Sequence, residues 1–314
     1  MAPLKRSILI TGCSDGGLGA ALAHEMHRTG HWRVLASARS LKKMATLAAA
    51  GIETMTLDVL SEDSLEAGVA YVSELLGGSL DALLLNAGGG LSMPLIDTTL
   101  SSLRNLYELN VFAPLRTAQL FLPLLLKSTK QPLIINNTSC AALQPVGGLP
   151  WQAPYNSSKA ASSSMTHSLR HELSPFGIKV VELLTASVKS NFFVNLANQT
   201  TASATAARLP EGSLYEPAKE DLEAFMGGGH AEVTAMDQTV YAKRVVSDLE
   251  GGWLGGGPPE SIWRGTFASR VWLMHMFQGL VPGWATRWMV RDTGKVDVVE
   301  RKVRAASKAK GKAS

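Results

Sequence analysis

The chain has 314 residues, 46% of them hydrophobic and 18% charged, a composition that excludes a disordered polymer and suits one large α/β domain. Its net charge of +4 is uneven: residues 295–314 carry seven Lys or Arg and two acids, which leaves −1 on the rest and argues against a nucleic-acid-binding face. Two cysteines, Cys13 and Cys140, are too few for a disulfide framework, so a reducing, cytoplasmic setting is expected and both read as packing residues.

Met1–Arg6 lacks the apolar core and cleavage site of a signal peptide and leads into the apolar run Ile8-Leu9-Ile10. That run ends in Thr11-Gly12-Cys13-Ser14-Asp15-Gly16-Gly17-Leu18-Gly19, which opens a helix-patterned stretch near residues 18–29. A glycine loop between a first strand and a helix lets the backbone approach a pyrophosphate, whose charge the helix N-terminus stabilises. Gly12, Gly17, Leu18 and Gly19 are therefore candidate dinucleotide contacts. The next run, Val34-Leu35-Ala36, is followed by Arg39, where an NAD-binding chain would place an acid for the ribose 2′-hydroxyl. A guanidinium suits a 2′-phosphate, which predicts NADP(H). After a third run, Asp58 in Leu57-Asp58-Val59 is placed to accept a hydrogen bond from an adenine amino group, to cap the helix expected near 62–76, or both.

The run Ala82-Leu83-Leu84-Leu85 closes with Asn86-Ala87-Gly88-Gly89-Gly90, residues small enough for a flat adenosine to lie against the backbone. In the helical stretch 100–128, Asn110 is a polar residue among apolar neighbours. It reads as an anchor for a water in a proton relay to Lys159, or as a buried amide satisfied by its surroundings. Leu133-Ile134-Ile135 leads into Asn136-Asn137-Thr138-Ser139, with Ser139 the first choice for orienting a substrate carbonyl and Thr138 its competitor. The helical stretch 156–174 opens with Tyr155-Asn156-Ser157-Ser158-Lys159, which sets a phenol and an ammonium on one helix face. A tyrosine titrates near pH 10 unaided, so a neighbouring cation is what lets it exchange protons near neutrality. Lys159 supplies that cation and can also hold a nicotinamide ribose. With Val180-Val181-Glu182-Leu183-Leu184, the alternation of apolar runs and helices predicts a doubly wound parallel α/β sheet, its ligand lying beyond the carboxyl ends of the strands.

Residues 190–257 break this rhythm with Thr and Ala runs, Gly227-Gly228-Gly229, Gly251-Gly252 and Gly255-Gly256-Gly257. They read as mobile segments around one or two helices, placed where a substrate lid is expected. From Ile262 to Val290 the chain is rich in Trp and Met, punctuated by Arg264, Arg270 and Arg287, with no run approaching the roughly 18 apolar residues of a spanning helix. Such a stretch finishes the core with a last strand and helix, lines an apolar pocket, or lies against a bilayer interface. The expected organisation is a catalytic domain over 1–262 including the lid, a helical segment over 263–294, and a disordered basic tail over 295–314.

The glycine loop, Asn86-Ala87-Gly88, Asn110, Ser139, Tyr155 and Lys159, taken in order, resemble the short-chain dehydrogenase/reductase family over residues 7–195. The resemblance implies a Rossmann-like single domain and an oxidoreductase acting on CH–OH groups, in which Ser139, Tyr155, Lys159 and Asn110 carry hydride-coupled proton transfer. It also implies that Val188 and Ser190 occupy the positions that clasp the nicotinamide amide, although Thr185-Ala186-Ser187 stands where Pro-Gly is usual. Four residues separate Gly12 from Gly17, one more than in most members, which resembles acyldihydroxyacetone phosphate reductases and fungal tailoring reductases of secondary metabolism. The substrate implied is an apolar ketone or secondary alcohol, with a tailoring step in secondary-metabolite biosynthesis as the first expectation and lipid-ketone reduction as the alternative. Ser139 lies sixteen positions before Tyr155, further than is usual, so the loop Val146–Pro154 must bulge. A homodimer or homotetramer, and peripheral contact with an endoplasmic-reticulum or lipid-droplet surface through the C-terminal segment, complete the expected partners.

A catalytically silent NADP(H)-binding protein is the competing class, and retention of both Tyr155 and Lys159 speaks against it. His24 with His27, and His167 with His171, have helical spacing but no third ligand, so no metal is expected. No nucleophile elbow suggests a hydrolase.

Overall fold

The protein is described here from a computed structural model that covers residues 5–143, 145–192, 208–227, 234–251 and 257–310. Seven strands pair in parallel: β1 (Arg6–Ile10), β2 (Trp32–Ala38), β3 (Glu53–Thr56), β4 (Ala82–Leu85), β5 (Leu133–Asn137), β6 (Lys179–Thr185) and β7 (Ser261–Arg264). Their order is β3-β2-β1-β4-β5-β6-β7, so the winding reverses between β1 and β4 and opens a crevice beyond the carboxyl ends of those strands. Residues of β4 and β5 are buried throughout because helices cover both faces. At the sheet edge, β3 reads Glu-Thr-Met-Thr with only Met55 buried, so the third run is an edge strand rather than an apolar one.

The helices are α1 (Leu18–Thr29), α2 (Ala45–Ala49), α3 (Glu62–Leu76), α4 (Leu100–Tyr107), α5 (Ala113–Leu125), α6 (Ala153–Leu173), α7 (Lys219–Met226), α8 (Gln238–Leu249), α9 (Ala268–Met276), α10 (Gly283–Thr293) and α11 (Val296–Lys310). On one face of the sheet α1 and α8 bury Leu22, Met26, Val245 and Val246 against Ile8 and Ile10. On the other, α3 and α5 bury Leu65, Val72 and Phe121 against Leu9 and Leu83, with Leu169 of α6 beside them. The helical stretch expected over 100–128 is not continuous: a wide π-helical turn, Glu108–Phe112, separates α4 from α5 and carries Asn110 at its centre. Single π-turns of this kind concentrate at functional sites.

In the expected lid, residues 193–207, 228–233 and 252–256 lie outside the described residues, and with them the Thr and Ala runs, Gly228, Gly229, Gly252, Gly255 and Gly256. Helices α7 and α8 are the described parts of that region. The basic tail departs from expectation, because Val296–Lys310 forms a helix. Val296, Val299 and Val303 recur at helical spacing and pack on Leu222, Phe225 and Met226 of α7, while Lys302 pairs with Asp221. Charge counting alone hid this apolar stripe. None of the described helices is long and apolar enough to cross a membrane.

The C-terminal segment also grips the loop ahead of α6. Trp151 Nε1 donates to the Gly294 carbonyl at 2.8 Å, and a Cβ on Gly294 would fall 2.3 Å from Pro150 Cγ. Gly294→Ala is therefore expected to destabilise the protein by about 2 kcal/mol in urea unfolding, through overpacking. Gly283→Ala, where a Cβ meets nothing within 4 Å, is the control and should change stability by under about 0.5 kcal/mol. Equal effects of the two would contradict the contact.

Candidate active site

The glycine loop approaches its neighbours too closely for side chains. Gly12 has φ +75° and its Cβ would sit 2.8 Å from Ala87 Cα, while a Cβ on Gly19 would fall 2.6 Å from the Gly12 carbonyl oxygen. Asn86 staples this loop to β4: its Nδ2 donates to the carbonyls of Thr11 at 2.9 Å and Gly12 at 3.2 Å. Gly17 caps α1 without any side-chain hydrogen bond, and the first turn, beginning at Leu18, holds no acid. Its backbone N–H groups are thus available to an anion. A backbone cradle that any Cβ would fill, opening on an uncapped helix N-terminus, fits a dinucleotide pyrophosphate.

The middle of the glycine loop is tied down as well. Asp15 accepts hydrogen bonds from the Thr46 hydroxyl at 2.5 Å and the Thr46 N–H at 3.3 Å, which draws the loop toward the segment between β2 and α2. That segment carries Arg39, exposed directly after β2, together with exposed Lys42 and Lys43. Asp58 follows β3 and its Oδ1 accepts from the Leu60 N–H at 3.1 Å; the cap of α3 is Ser61, not Asp58.

Asn137, at the end of β5, is the hub of the crevice and was not singled out from the sequence. Its Nδ2 donates to Asn86 Oδ1 at 2.9 Å and its Oδ1 accepts from the Thr185 hydroxyl at 2.6 Å. Its carbonyl accepts from Lys159 Nζ at 2.9 Å. Thr185 pairs in turn with the hydroxyl of Tyr241, a fully buried side chain of α8. One chain of hydrogen bonds thereby crosses the carboxyl ends of β4, β5 and β6 and fixes the position of Lys159. Two asparagines in succession at the end of an otherwise apolar run were the available signal, since a buried strand spends polar groups only where they are paired.

Ser139, Tyr155 and Lys159 converge at this end of the sheet. The long loop between Ser139 and Tyr155 is taken up by short 3₁₀ turns at Cys140–Ala142 and Val146–Gly148 and by Trp151, which holds φ +65°. The Ser139 hydroxyl donates to the Thr185 carbonyl at 3.2 Å and stands close enough to the Tyr155 phenol to oppose the effect of burial on its pKa. Thr138 turns the other way, donating to buried Glu182 at 2.8 Å, where His167 meets the second carboxylate oxygen. Asn110 lies near Lys159, since a Cβ on Gly88 would fall 3.2 Å from Asn110 Oδ1 and 3.5 Å from Lys159 Nζ. Its amide exchanges hydrogen bonds with the N–H and C=O of Gly89, both at 2.9 Å, and donates to Ser158 at 2.9 Å, so its side chain holds the Gly88–Gly90 turn.

Val188 is buried and bridges to Met236, and the Ser190 hydroxyl accepts from the Phe192 N–H at 3.3 Å. The segment then crosses the crevice: Asn191 bonds to the glycine loop through Gly16 and Asp15, and the Phe192 ring lies 5.4 Å from the Tyr155 ring. Burial sets the electrostatics. It pushes the Tyr155 phenol up to about 12, against the opposing pull of the Ser139 hydroxyl, and it pulls the Lys159 ammonium down to about 8. The Cys13 and Cys140 thiols, raised to about 12 chiefly by burial, are inert as nucleophiles.

The sequence pattern of the family described as short chain dehydrogenase matches residues 6–201. A short-chain dehydrogenase/reductase of Pestalotiopsis microspora is 39% identical over 306 residues, 98% of this chain and 100% of that protein. The NADPH-dependent 1-acyldihydroxyacetone phosphate reductase of Schizosaccharomyces pombe is 35% identical over 213 residues, 68% of this chain and 69% of that one. Among solved structures, the NADPH-bound carbonyl reductase from chicken fatty liver is 28% identical with a TM-score of 0.55, covering 60% of this chain and 82% of its own. A short-chain dehydrogenase from Streptomyces avermitilis shares the fold at a TM-score of 0.72 and 24% identity, covering 94% of this chain and all of its own.

Holding an ammonium dry at Lys159 costs stability. The shift from 10.5 to about 8 corresponds to on the order of 3 kcal/mol below pH 8. The folded, ligand-free state binds this proton less tightly than the unfolded chain, so the cost is present in full below about pH 8 and fades as pH rises to about 10.5. Lys159→Met is expected to raise unfolding free energy at pH 7 by roughly 1 to 3 kcal/mol relative to wild type, with the gap closing by about pH 10.5. A pH-independent gap in paired urea titrations would contradict the dry ammonium.

Proposed function

The chain belongs to the short-chain dehydrogenase/reductase family, and from that premise we propose that it interconverts an apolar ketone and its secondary alcohol with NADP(H). The observation that carries this reading is the convergence of the Tyr155 phenol, the Ser139 hydroxyl and the Lys159 ammonium at the crevice, beside a glycine cradle fit for a pyrophosphate. A bound nicotinamide nucleotide would exchange a hydride with the carbonyl carbon. Gly12, Gly17, Leu18 and Gly19 would hold its pyrophosphate, Asp58 and Asn86 its adenosine side, Lys159 and Tyr155 the second ribose, and Val188 and Ser190 the amide. Arg39, with Lys42 and Lys43 nearby, gives the 2′-phosphate a cationic seat.

Ser139 donates to the carbonyl oxygen and holds it against Tyr155. The neutral phenol, which its raised pKa preserves at physiological pH, donates its proton as charge develops on that oxygen. The phenolate left behind is stabilised by the Lys159 ammonium, so reduction is favoured below about pH 8, where Lys159 carries its charge. Asn110 acts one step removed, by fixing the Gly88–Gly90 turn. Leu143, Val146, Ala186 and Trp263 gather around Cys140 next to Ser139, an apolar wall that supports a hydrophobic substrate.

Similarity along nearly its whole length to a short-chain dehydrogenase/reductase of a filamentous fungus supports a tailoring step in secondary metabolism as the setting. Reduction of a lipid ketone is the second reading, favoured by the acyldihydroxyacetone phosphate reductase relative. Tyr155→Phe is expected to lower kcat/KM for ketone reduction about a thousand-fold while NADPH affinity changes little; near-normal turnover would remove Tyr155 as the acid. Arg39→Asp should shift the NADPH-to-NADH ratio of kcat/KM at least about ten-fold toward NADH. An unchanged ratio would place the phosphate contact elsewhere. Wild-type protein that binds NADPH but reduces no member of a panel of steroid, acyl and polyketide ketones would favour the silent binding protein.

A further inference from the structure

Nothing among the described residues covers the outer side of the hairpin of α9 and α10. Among the described residues, eight of nineteen exposed large hydrophobic side chains fall within residues 267–288. Trp284 and Trp288, one turn apart on α10, are 72% and 67% exposed, and Leu280 at the turn between the helices is 79% exposed. Helix α10 buries no residue at all, and α9 buries only Ala268 and Val271. An isolated exposed Leu needs no explanation, but a contiguous run of Trp, Met, Phe and Leu on one hairpin marks an interaction surface.

Charge selects the occupant. From Ser261 to Arg291 the chain contains four arginines and no Asp or Glu. Arg264 is committed to Asp248, and Arg291 to Asp297 and Glu300. Arg270 lies over the Phe267 ring, and neither it nor Arg287 makes an ion pair among the described residues. A second copy of this chain docked through the same patch would bring two cationic faces together with no acid within 261–291 to answer Arg270 or Arg287. A bilayer surface answers both features: headgroup phosphates meet the guanidinium groups, and the boundary between headgroups and acyl chains takes up indole rings and a leucine tip.

We propose that the hairpin 267–288 docks this enzyme on the surface of an anionic phospholipid bilayer, inserting Leu280, Trp284 and Trp288 into the interface without spanning it. The hairpin is rooted beside the crevice, since Ala268 and Val271 pack on Cys140, next to Ser139, and Thr266 donates its N–H to the Ser187 carbonyl at 3.0 Å. Docking therefore brings the apolar side of the crevice near the acyl-chain boundary, which suits a membrane-dissolved substrate. The docking itself does not depend on the reaction proposed above.

The test uses full-length protein with phosphatidylcholine vesicles, with and without about one-third phosphatidylserine, read by co-sedimentation and by tryptophan emission. Wild type is expected to pellet with the mixed vesicles and shift its emission to the blue, and Trp284→Ser/Trp288→Ser to need about ten-fold more lipid for half-binding. Both substituted side chains are exposed, so the variant's thermal stability should match wild type. Arg270→Gln/Arg287→Gln should lose the preference for phosphatidylserine. Wild type that ignores both vesicles, tryptophan variants that bind undiminished, or an anionic preference that survives loss of the two arginines would overturn the proposal. A wild-type dimer that the tryptophan substitutions dissociate, with no vesicle binding by either, would assign the face to a second copy.

Discussion

An ammonium group held out of water at the carboxyl ends of the strands is the constraint around which the crevice is built. Lys159 reaches it from the second turn of α6 and donates to the Asn137 carbonyl. That carbonyl is itself held by a side chain locked between Asn86 and Thr185. Each polar group in this chain finds a partner, which is the condition for burying so many of them at the carboxyl ends of three strands. The sheet therefore does more than supply a core. Its winding reversal places the glycine loop, the Asn86 staple and the Lys159 seat at the edge of one crevice.

The C-terminal third is joined to that arrangement mechanically. Trp151 sits four residues before Tyr155 in a left-handed conformation that costs a non-glycine residue about 1 to 3 kcal/mol. Its ring is held by the Gly294 carbonyl and by the edge of Tyr215, and α11 closes over the same cluster through Val299. The loop that leads into Tyr155 is thus braced from outside the sheet. The same segment that braces it runs back through α10 and α9 to the crevice wall, so the exposed hairpin and the candidate catalytic residues belong to one packed unit.

Much of this was legible in the sequence. The runs that became β1, β2, β4, β5 and β6 announced themselves because both faces of those strands are buried, and the stretches 18–29 and 62–76 coincide with α1 and α3. What escaped had physical reasons. β3 is a half-exposed edge strand without an apolar run, and α11 looked like a tail because its four valines are diluted by charge. Tyr155, Lys159 and the glycine loop could be read because each obeys a local spacing rule. Asn137 left a signal in the paired asparagines that end β5, but its partnership with Thr185 and Tyr241 could not be read, because it spans three distant segments and exists only once the strands have paired. Asn110 was found as a position, with a satisfied buried amide as one of its two readings, but its particular commitment to Gly89 depends on a π-turn that periodicity does not reveal.

The central claim is that the phenol, the ammonium and the glycine turn serve one nucleotide. A crystal structure of the protein with NADPH tests it most directly. The account predicts a pyrophosphate against the N-terminus of α1 and ribose hydroxyls within hydrogen-bond reach of Lys159 Nζ and Tyr155. A nucleotide seated away from the glycine loop, or one that leaves Lys159 bonded to Asn137 alone, would contradict it.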